Sequence, residues 1–244
     1  MEVSPTGGDL EGAIMDAIAK LTTYLKANPT AIGKVVDYNA ATDKLYPFDF
    51  TKDNTELDLD TVIDSQKFSE WINQNLAAGN YRYGIGGYME HRTIYARSEH
   101  FDTDGEPRRL HLGVDIWGDA GTPIYAPLDG TIHSFQDNDN FGDYGPTIIL
   151  QHDLDGLQLF SLYGHLSRVS LHGLSVGQAI SKNQQIATLG DINENGYWPP
   201  HLHFQLMFDM EGKVGDYPGV ARFSEKDKWL QNIPDPNLIL QFPA

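Results

Sequence analysis

The chain contains no cysteine. That excludes disulfides, thiol catalysis, iron–sulfur ligation and every cysteine-containing zinc motif. Long apolar runs are missing too. Nowhere do about 18 apolar residues follow one another, so no membrane span is expected. Basic residues are scarce: 17 Lys and Arg stand against 34 Asp and Glu, a net charge of −17 with histidines neutral. A chain with no basic stripe is not expected to bind a phosphate backbone, so no nucleic-acid partner is expected. Adsorption to anionic membranes is disfavoured for the same reason. Residues 1–28 lack a charged stretch followed by an apolar one, because Asp9, Glu11, Asp16 and Lys20 interrupt them. No export signal is visible there. The chain reads as cytoplasmic as it stands, and as periplasmic or extracellular if a signal has been removed.

What is present is ordinary globular material. Of 244 residues, 40% are hydrophobic and 21% charged, enough for a core that needs no metal or disulfide staple. Residues 10–27 read as an amphipathic helix, with Leu10, Ile14, Ala17, Ile18, Leu21 and Leu25 at helical spacing, Asp9 as N-cap and Pro29 beyond the end. Residues 65–78 read as a second helix, with the stripe Phe68, Trp71, Ile72 and Leu76 and with Gly79 as its stop. Tyr46 to Phe50 reads as a short strand. After Gly79, short β-branched and aromatic runs alternate with turn residues up to about residue 209, for example 122–125, 130–135, 146–152, 157–163, 185–189 and 201–208. This spacing implies a compact antiparallel β domain over 81–244, its proline-containing tail wrapping the surface, with a helical segment 1–80 docked on it.

Nine histidines occur. His201-Leu-His203 places two imidazoles on one face of a strand, roughly 6.6 Å apart along the chain. His111-Leu-Gly-Val-Asp115 needs a bend, since in a straight strand its ends lie roughly 13 Å apart; Gly113 supplies it. Together these patterns offer imidazole and carboxylate donors for a metal, or, for the His-x-His pattern alone, a cupin-like site.

Five blocks taken in order carry a more specific resemblance. They are His111-Leu-Gly-Val-Asp115, the stretch Gly121–Gly130, Tyr163-Gly-His165-Leu166, Val176-Gly-Gln-Ala-Ile180 and His201-Leu-His-Phe-Gln205. From about Arg109 to Gln205 the chain resembles the lysostaphin/LytM-type zinc metalloendopeptidases. The resemblance implies a two-sheet antiparallel β fold with a metal groove. It implies Zn2+ held by His111, Asp115 and His203, with His165 and His201 as catalytic, non-ligating histidines. Two neutral imidazoles and one carboxylate leave such an ion net positive with one position open. The expected activity is hydrolysis of peptide bonds, with a peptide or peptidoglycan cross-link or stem peptide as substrate.

The stretch before His201 departs from the family pattern. It runs Gly190-Asp-Ile-Asn-Glu-Asn-Gly-Tyr-Trp-Pro-Pro200, and Tyr197 and Trp198 are expected to wall the groove. Glu90, His91 and Arg92 read mainly as a surface salt-bridge cluster, with Arg92 or Arg97 as an alternative binder of a substrate carboxylate. His133, His152 and His172 read as structural or surface residues, and Asp153 and Asp155 as turn residues. Two other readings compete: a non-catalytic zinc-binding or regulatory module of the same fold, and a hydrolase of a cytosolic peptide or amide. The first is countered by the filled ligand and catalytic positions. The second is kept by the acidic chain, which an anionic wall repels.

Overall fold

A computed structural model describes residues 7–102 and 105–243, with side chains in the first helix from Asp16 onward. Its strands are β1 (Leu45–Phe48), β2 (Tyr83–Gly86), β3 (Arg108–His111), β4 (Val114–Trp117), β5 (Pro123–Tyr125) and β6 (Gly130–Asn138). They continue with β7 (Gly145–Leu154), β8 (Leu157–Gly164), β9 (Ala179–Ile180), β10 (Gln185–Thr188), β11 (His201–Met207) and β12 (Val220–Arg222). The α-helices are α1 (Gly7–Ala27), α2 (Leu59–Ile63), α3 (Ser65–Ala78), α4 (Lys226–Trp229) and α5 (Asn237–Leu240). The protein is mainly β. One eight-stranded sheet has the order β1-β2-β4-β11-β8-β7-β6-β9, and two ribbons pair β5 with β10 and β3 with β12. The pairing is antiparallel except at one edge, where β1 runs parallel to β2.

The strand alternation decides which side chains meet. On β11, Leu202, Phe204 and Leu206 enter a core with Val114, Ile116, Ile148, Leu150, Leu159 and Tyr163. The intervening His201, His203 and Gln205 must then point to the opposite face. All seven residues of β11 are buried, so this strand is covered on both sides. Truncating Phe204 to alanine in such a core costs about 3–5 kcal/mol. The β7–β8 hairpin closes on Asp155 and Gly156, both at positive φ, as a two-residue hairpin turn favours.

The N-terminal elements lie against the same body. Leu21 and Leu25 of α1 belong to the sheet's main core. Phe68 and Ile72 of α3 pack with Phe48, Phe50, Trp117 and Trp198. Helix α3 begins where Asp64 accepts hydrogen bonds from the backbone N–H groups of Gln66 and Lys67. At its end the left-handed residue is Asn80, φ 52°, and not Gly79. Helix α1 already exists at Gly7, so Asp9 lies inside it and is not its N-cap; the side chains of Leu10 and Ile14 lie outside the described residues. The tail does more than wrap the surface. Tyr217, Trp229 and Ile233 are buried with Leu110, Leu162 and Met207, and Ile239 reaches the main core.

Candidate metal centre and cleft

Register brings the site together. On β11, His203 lies directly opposite Asp115 of β4 on one side and Gly164 of β8 on the other. His201 lies opposite Trp117, and the two rings stack at 4.0 Å. His111 arrives from the other sheet. It ends β3, pairs with Val220 of β12, and the chain then crosses at Leu112–Gly113 into β4. The bend expected at Gly113 is therefore a passage between sheets. A Cβ on Gly113 would lie 2.7 Å from the His203 ring, so the glycine permits a close approach.

Three donor atoms converge. His111 Nε2 lies 2.9 Å from His203 Nδ1, and both lie 3.2 Å from Asp115 Oδ1. The other ring nitrogens fix the tautomers. His111 Nδ1–H donates to the Gly87 carbonyl at 2.8 Å. His203 Nε2–H donates to Gln205 Oε1 at 3.0 Å, an orientation set by Gln205 Nε2 donating to the Pro218 carbonyl. Two imidazole lone pairs thus face each other, and buried Asp115 Oδ1 has no hydrogen-bond donor. Three lone pairs in a buried site repel one another unless a cation sits between them. His111, Asp115 and His203 form a group able to hold a metal ion, and this donor set fits a divalent ion that accepts nitrogen and oxygen ligands.

Charge is arranged accordingly. Burial pushes the His111 pKa down to about 3, helped by the nearby Arg92. Burial opposes ionisation of Asp115, but the Arg92 guanidinium beside it outweighs burial and holds this carboxyl well below the usual range. Arg92 Nη1 donates to Asp115 Oδ2 at 2.5 Å, while its Nε donates to Glu90 Oε2 at 2.7 Å. Arg92 is only 1% exposed. It is therefore neither part of a surface cluster nor free for a substrate carboxylate; it occupies one oxygen of Asp115 and leaves the other for the ion. His91 alone of that triplet is exposed. Arg97 is also buried, and is engaged with the chain itself.

His165 and His201 stand beside the donor triangle, their ring centroids 4.1 Å apart. His201 Nδ1–H donates to the Pro199 carbonyl and His165 Nδ1–H to the Asn195 carbonyl, each at 2.8 Å. Both rings keep Nε2 as a free acceptor, and His201 Nε2 lies 4.0 Å from Asp115 Oδ1. Burial holds the His165 pKa well below its ordinary value, helped by the neighbouring His201. Burial likewise lowers His201 to about 4. At neutral pH both are uncharged. His165 itself sits at φ 61°, a left-handed conformation uncommon outside glycine.

Asp115, His165, His201 and His203 border a cleft of about 160 Å3 that Tyr144, Asp143, Asp216, Trp117 and Trp198 also line, with His111 behind them. Of the two expected wall residues, Trp198 is in the wall, 3% exposed. Tyr197 instead turns outward, 43% exposed, against Phe141. His152 lies elsewhere, its Nδ1–H on the Asp129 carbonyl and its Nε2 on Ser161. The sequence motifs pass over Gly87, Asn195 and Tyr144, the last with its hydroxyl 3.3 Å from His203 Nε2, and the sequence singles out Arg92 for a different role. Gln205 had a signal: two residues beyond His203 on a strand, it shares that ring's face.

Residues 109–214 match the model of peptidase family M23. An uncharacterized metalloprotease of Haemophilus influenzae is 35% identical over 106 residues, 43% of this chain and 20% of that protein. The peptidoglycan DD-endopeptidase ShyA of Vibrio cholerae is 31% identical over 111 residues, 42% of this chain and 23% of that protein. The matched stretch thus spans about a fifth to a quarter of these bacterial relatives. Among solved structures, the catalytic domain of lysostaphin from Staphylococcus simulans aligns at 24% identity, covering 66% of this chain and 96% of that one, with a TM-score of 0.39. A zinc-containing peptidase from Vibrio cholerae aligns at 25% identity over 40% of this chain and 27% of that one, with a TM-score of 0.33. The resemblance carried by the five sequence blocks and the family match cover the same part of the chain, and that family is one of peptidases.

Proposed function

We propose that this protein is a zinc-dependent metalloendopeptidase acting on peptide bonds of peptidoglycan cross-links or stem peptides. His111, Asp115 and His203 hold the ion, and His165 and His201 are the catalytic pair. The observation that carries this reading is the convergence of two imidazole lone pairs and one orphaned carboxylate oxygen beside two neutral histidines in one cleft. The peptidase family match supports the reaction class. Peptidoglycan comes from the name of one relative. Zinc supplies Lewis acidity toward the scissile carbonyl and acidifies water. The chain's own part is proton handling. Neutral Nε2 of one histidine takes a proton from the attacking water, the pair carries it to the departing amine nitrogen, and the carbonyl–nitrogen bond breaks. The small cleft volume and the buried Trp198 wall suit a thin, extended peptide without bulky side chains. In the same reading, residues 1–80 are a helical segment docked on a peptidase domain of residues 81–244.

The test is a parallel digest of purified peptidoglycan, small cross-bridge peptides and casein by zinc-loaded protein, with His203→Ala beside it. Peptidoglycan or the small peptides should be cut, and casein spared. His203→Ala should stay folded, lose its zinc and cut nothing. Cleavage of casein alone would overturn the wall substrate. Inactivity on all three with zinc bound would overturn the enzyme in favour of a binding module.

A further inference from the structure

Arg97 is a charged side chain placed where a hydrocarbon would be easier to accommodate. It is 6% exposed, and its Nε and Nη1 have no hydrogen-bond partner. Its guanidinium lies 4.3 Å over the Trp198 ring and 5.1 Å from that of Phe141. Burial lowers its pKa to about 10, so it is still charged at neutral pH. Burying an unpaired charge is costly, and Arg97 does not line the cleft. Its polar engagement is through Nη2, which donates to the Tyr197 carbonyl at 3.0 Å and to Ser65 Oγ at 2.6 Å. Ser65, the first residue of α3, donates its own hydroxyl to the same carbonyl at 2.6 Å.

That carbonyl belongs to a strained residue. Tyr197 has φ 67°, which a bulky side chain rarely adopts without being held. Gly196 before it has φ 84°, and a Cβ there would lie 1.9 Å from the Asp143 carbonyl. Asn195 braces the turn from within: its Nδ2 donates to the Trp198 carbonyl and its Oδ1 accepts from the Trp198 N–H. On either side of the clamped carbonyl are the two that receive the Nδ1–H groups of the site, Asn195 O for His165 and Pro199 O for His201. One five-residue loop therefore sets both imidazoles.

We infer that Arg97 and Ser65 are positioning residues: by clamping Tyr197 they hold the 195–199 loop in the one geometry that keeps both His165 and His201 as Nδ1–H tautomers. This rests on the reading of those two histidines as the proton-transfer pair. It also gives α3, which lies outside the matched peptidase region, a part in the chemistry. A purely structural Arg97 would affect stability without changing which ring nitrogen carries the proton.

The experiment is nitrogen NMR of histidine-labelled full-length protein, comparing wild type with Arg97→Met, Arg97→Lys and Ser65→Ala. Wild type should show His165 and His201 protonated at Nδ1 alone. Arg97→Met should show both tautomers at those two rings, and Arg97→Lys should restore much of the single form. His152 should be unchanged throughout, since its Nδ1–H goes to Asp129. In turnover assays Arg97→Met should lower kcat at least about tenfold with KM little changed and zinc content intact. Unchanged tautomers in folded Arg97→Met overturn the clamp, whatever the activity. Tautomer loss in a protein whose wild type cuts nothing supports the clamp and overturns the enzymatic reading instead. Should Arg97→Met fail to fold, Ser65→Ala carries the same test with the same outcomes.

Discussion

Asp115 has two oxygens with different neighbours: Oδ2 accepts a hydrogen bond from Arg92 Nη1, and Oδ1 faces only imidazole nitrogens. Arg92 therefore decides which oxygen is available. Removing it with Arg92→Met should lower metal affinity by about 10–100-fold, as loss of partners behind a ligand typically does, while the His111 and His203 tautomers persist. Isothermal titration with zinc measures this, and an unchanged affinity would show Arg92 to be a packing residue. The buried histidines give a pH dependence of definite sign. The folded pKa values of His111 and His201 are about 3 and about 4 against 6.5 in the unfolded chain, and His152 and His165 shift the same way. Below 6.5 the unfolded chain takes up protons that the folded chain refuses, so stability is complete above that pH and declines as pH falls toward about 4. Melting of chelator-treated protein should show Tm dropping steadily across that window. A flat profile would mean that these rings are hydrated in solution. At this scale the sequence was partly legible. Donors at fixed spacing on a strand follow from chain geometry, so His201 and His203 stand out, whereas His111 and Asp115 stand out only with the bend at Gly113. Arg92 did not, because a charged triplet reads as surface until the fold encloses it.

Elements were legible where local chemistry and packing agree. Helix α3 runs over the residues that the stripe of Phe68, Trp71, Ile72 and Leu76 marks out, and β7 and β8 lie where β-branched and aromatic residues cluster. The crossing between β3 and β4 was legible only as a bend, since a glycine in a strand pattern does not reveal that the chain is changing sheets. The parallel edge pair β1–β2 was hidden for the same reason: Leu45 and Tyr83 pair across 38 residues, and nothing local marks the partner. Helix α3 also yields a prediction. Asp64 satisfies two N–H groups at its start, so Asp64→Ala should cost about 1 kcal/mol. Because Ser65 follows directly, the loss should appear in turnover as well as in urea denaturation. A destabilised variant with full turnover would separate the helix start from the loop it supports.

For the whole molecule, the matched region alone is an incomplete site. Gly87, which orients His111, and Arg92, which orients Asp115, come from residues ahead of it, and α3 covers Trp117 and Trp198. A chain starting at Gly79 should therefore be poorly soluble, having lost β1 and α3 from that face. A soluble truncation with unchanged melting would show residues 1–78 to be a separate appendage.

Strand β11 joins two half-sheets. On one side lie β2 and β4 and on the other β8, β7 and β6, and no strand pairing links the two halves without it. Residues 201–207 arrive late in synthesis, 92 positions after His111 in the case of His203. Until then the growing chain displays two open edges, at β4 and at β8, each able to pair with a neighbouring chain. The donor triangle is complete only once residue 203 has been made, so no ion held there can template the strands before it. A polypeptide of this design depends on being kept apart from its siblings until that strand emerges.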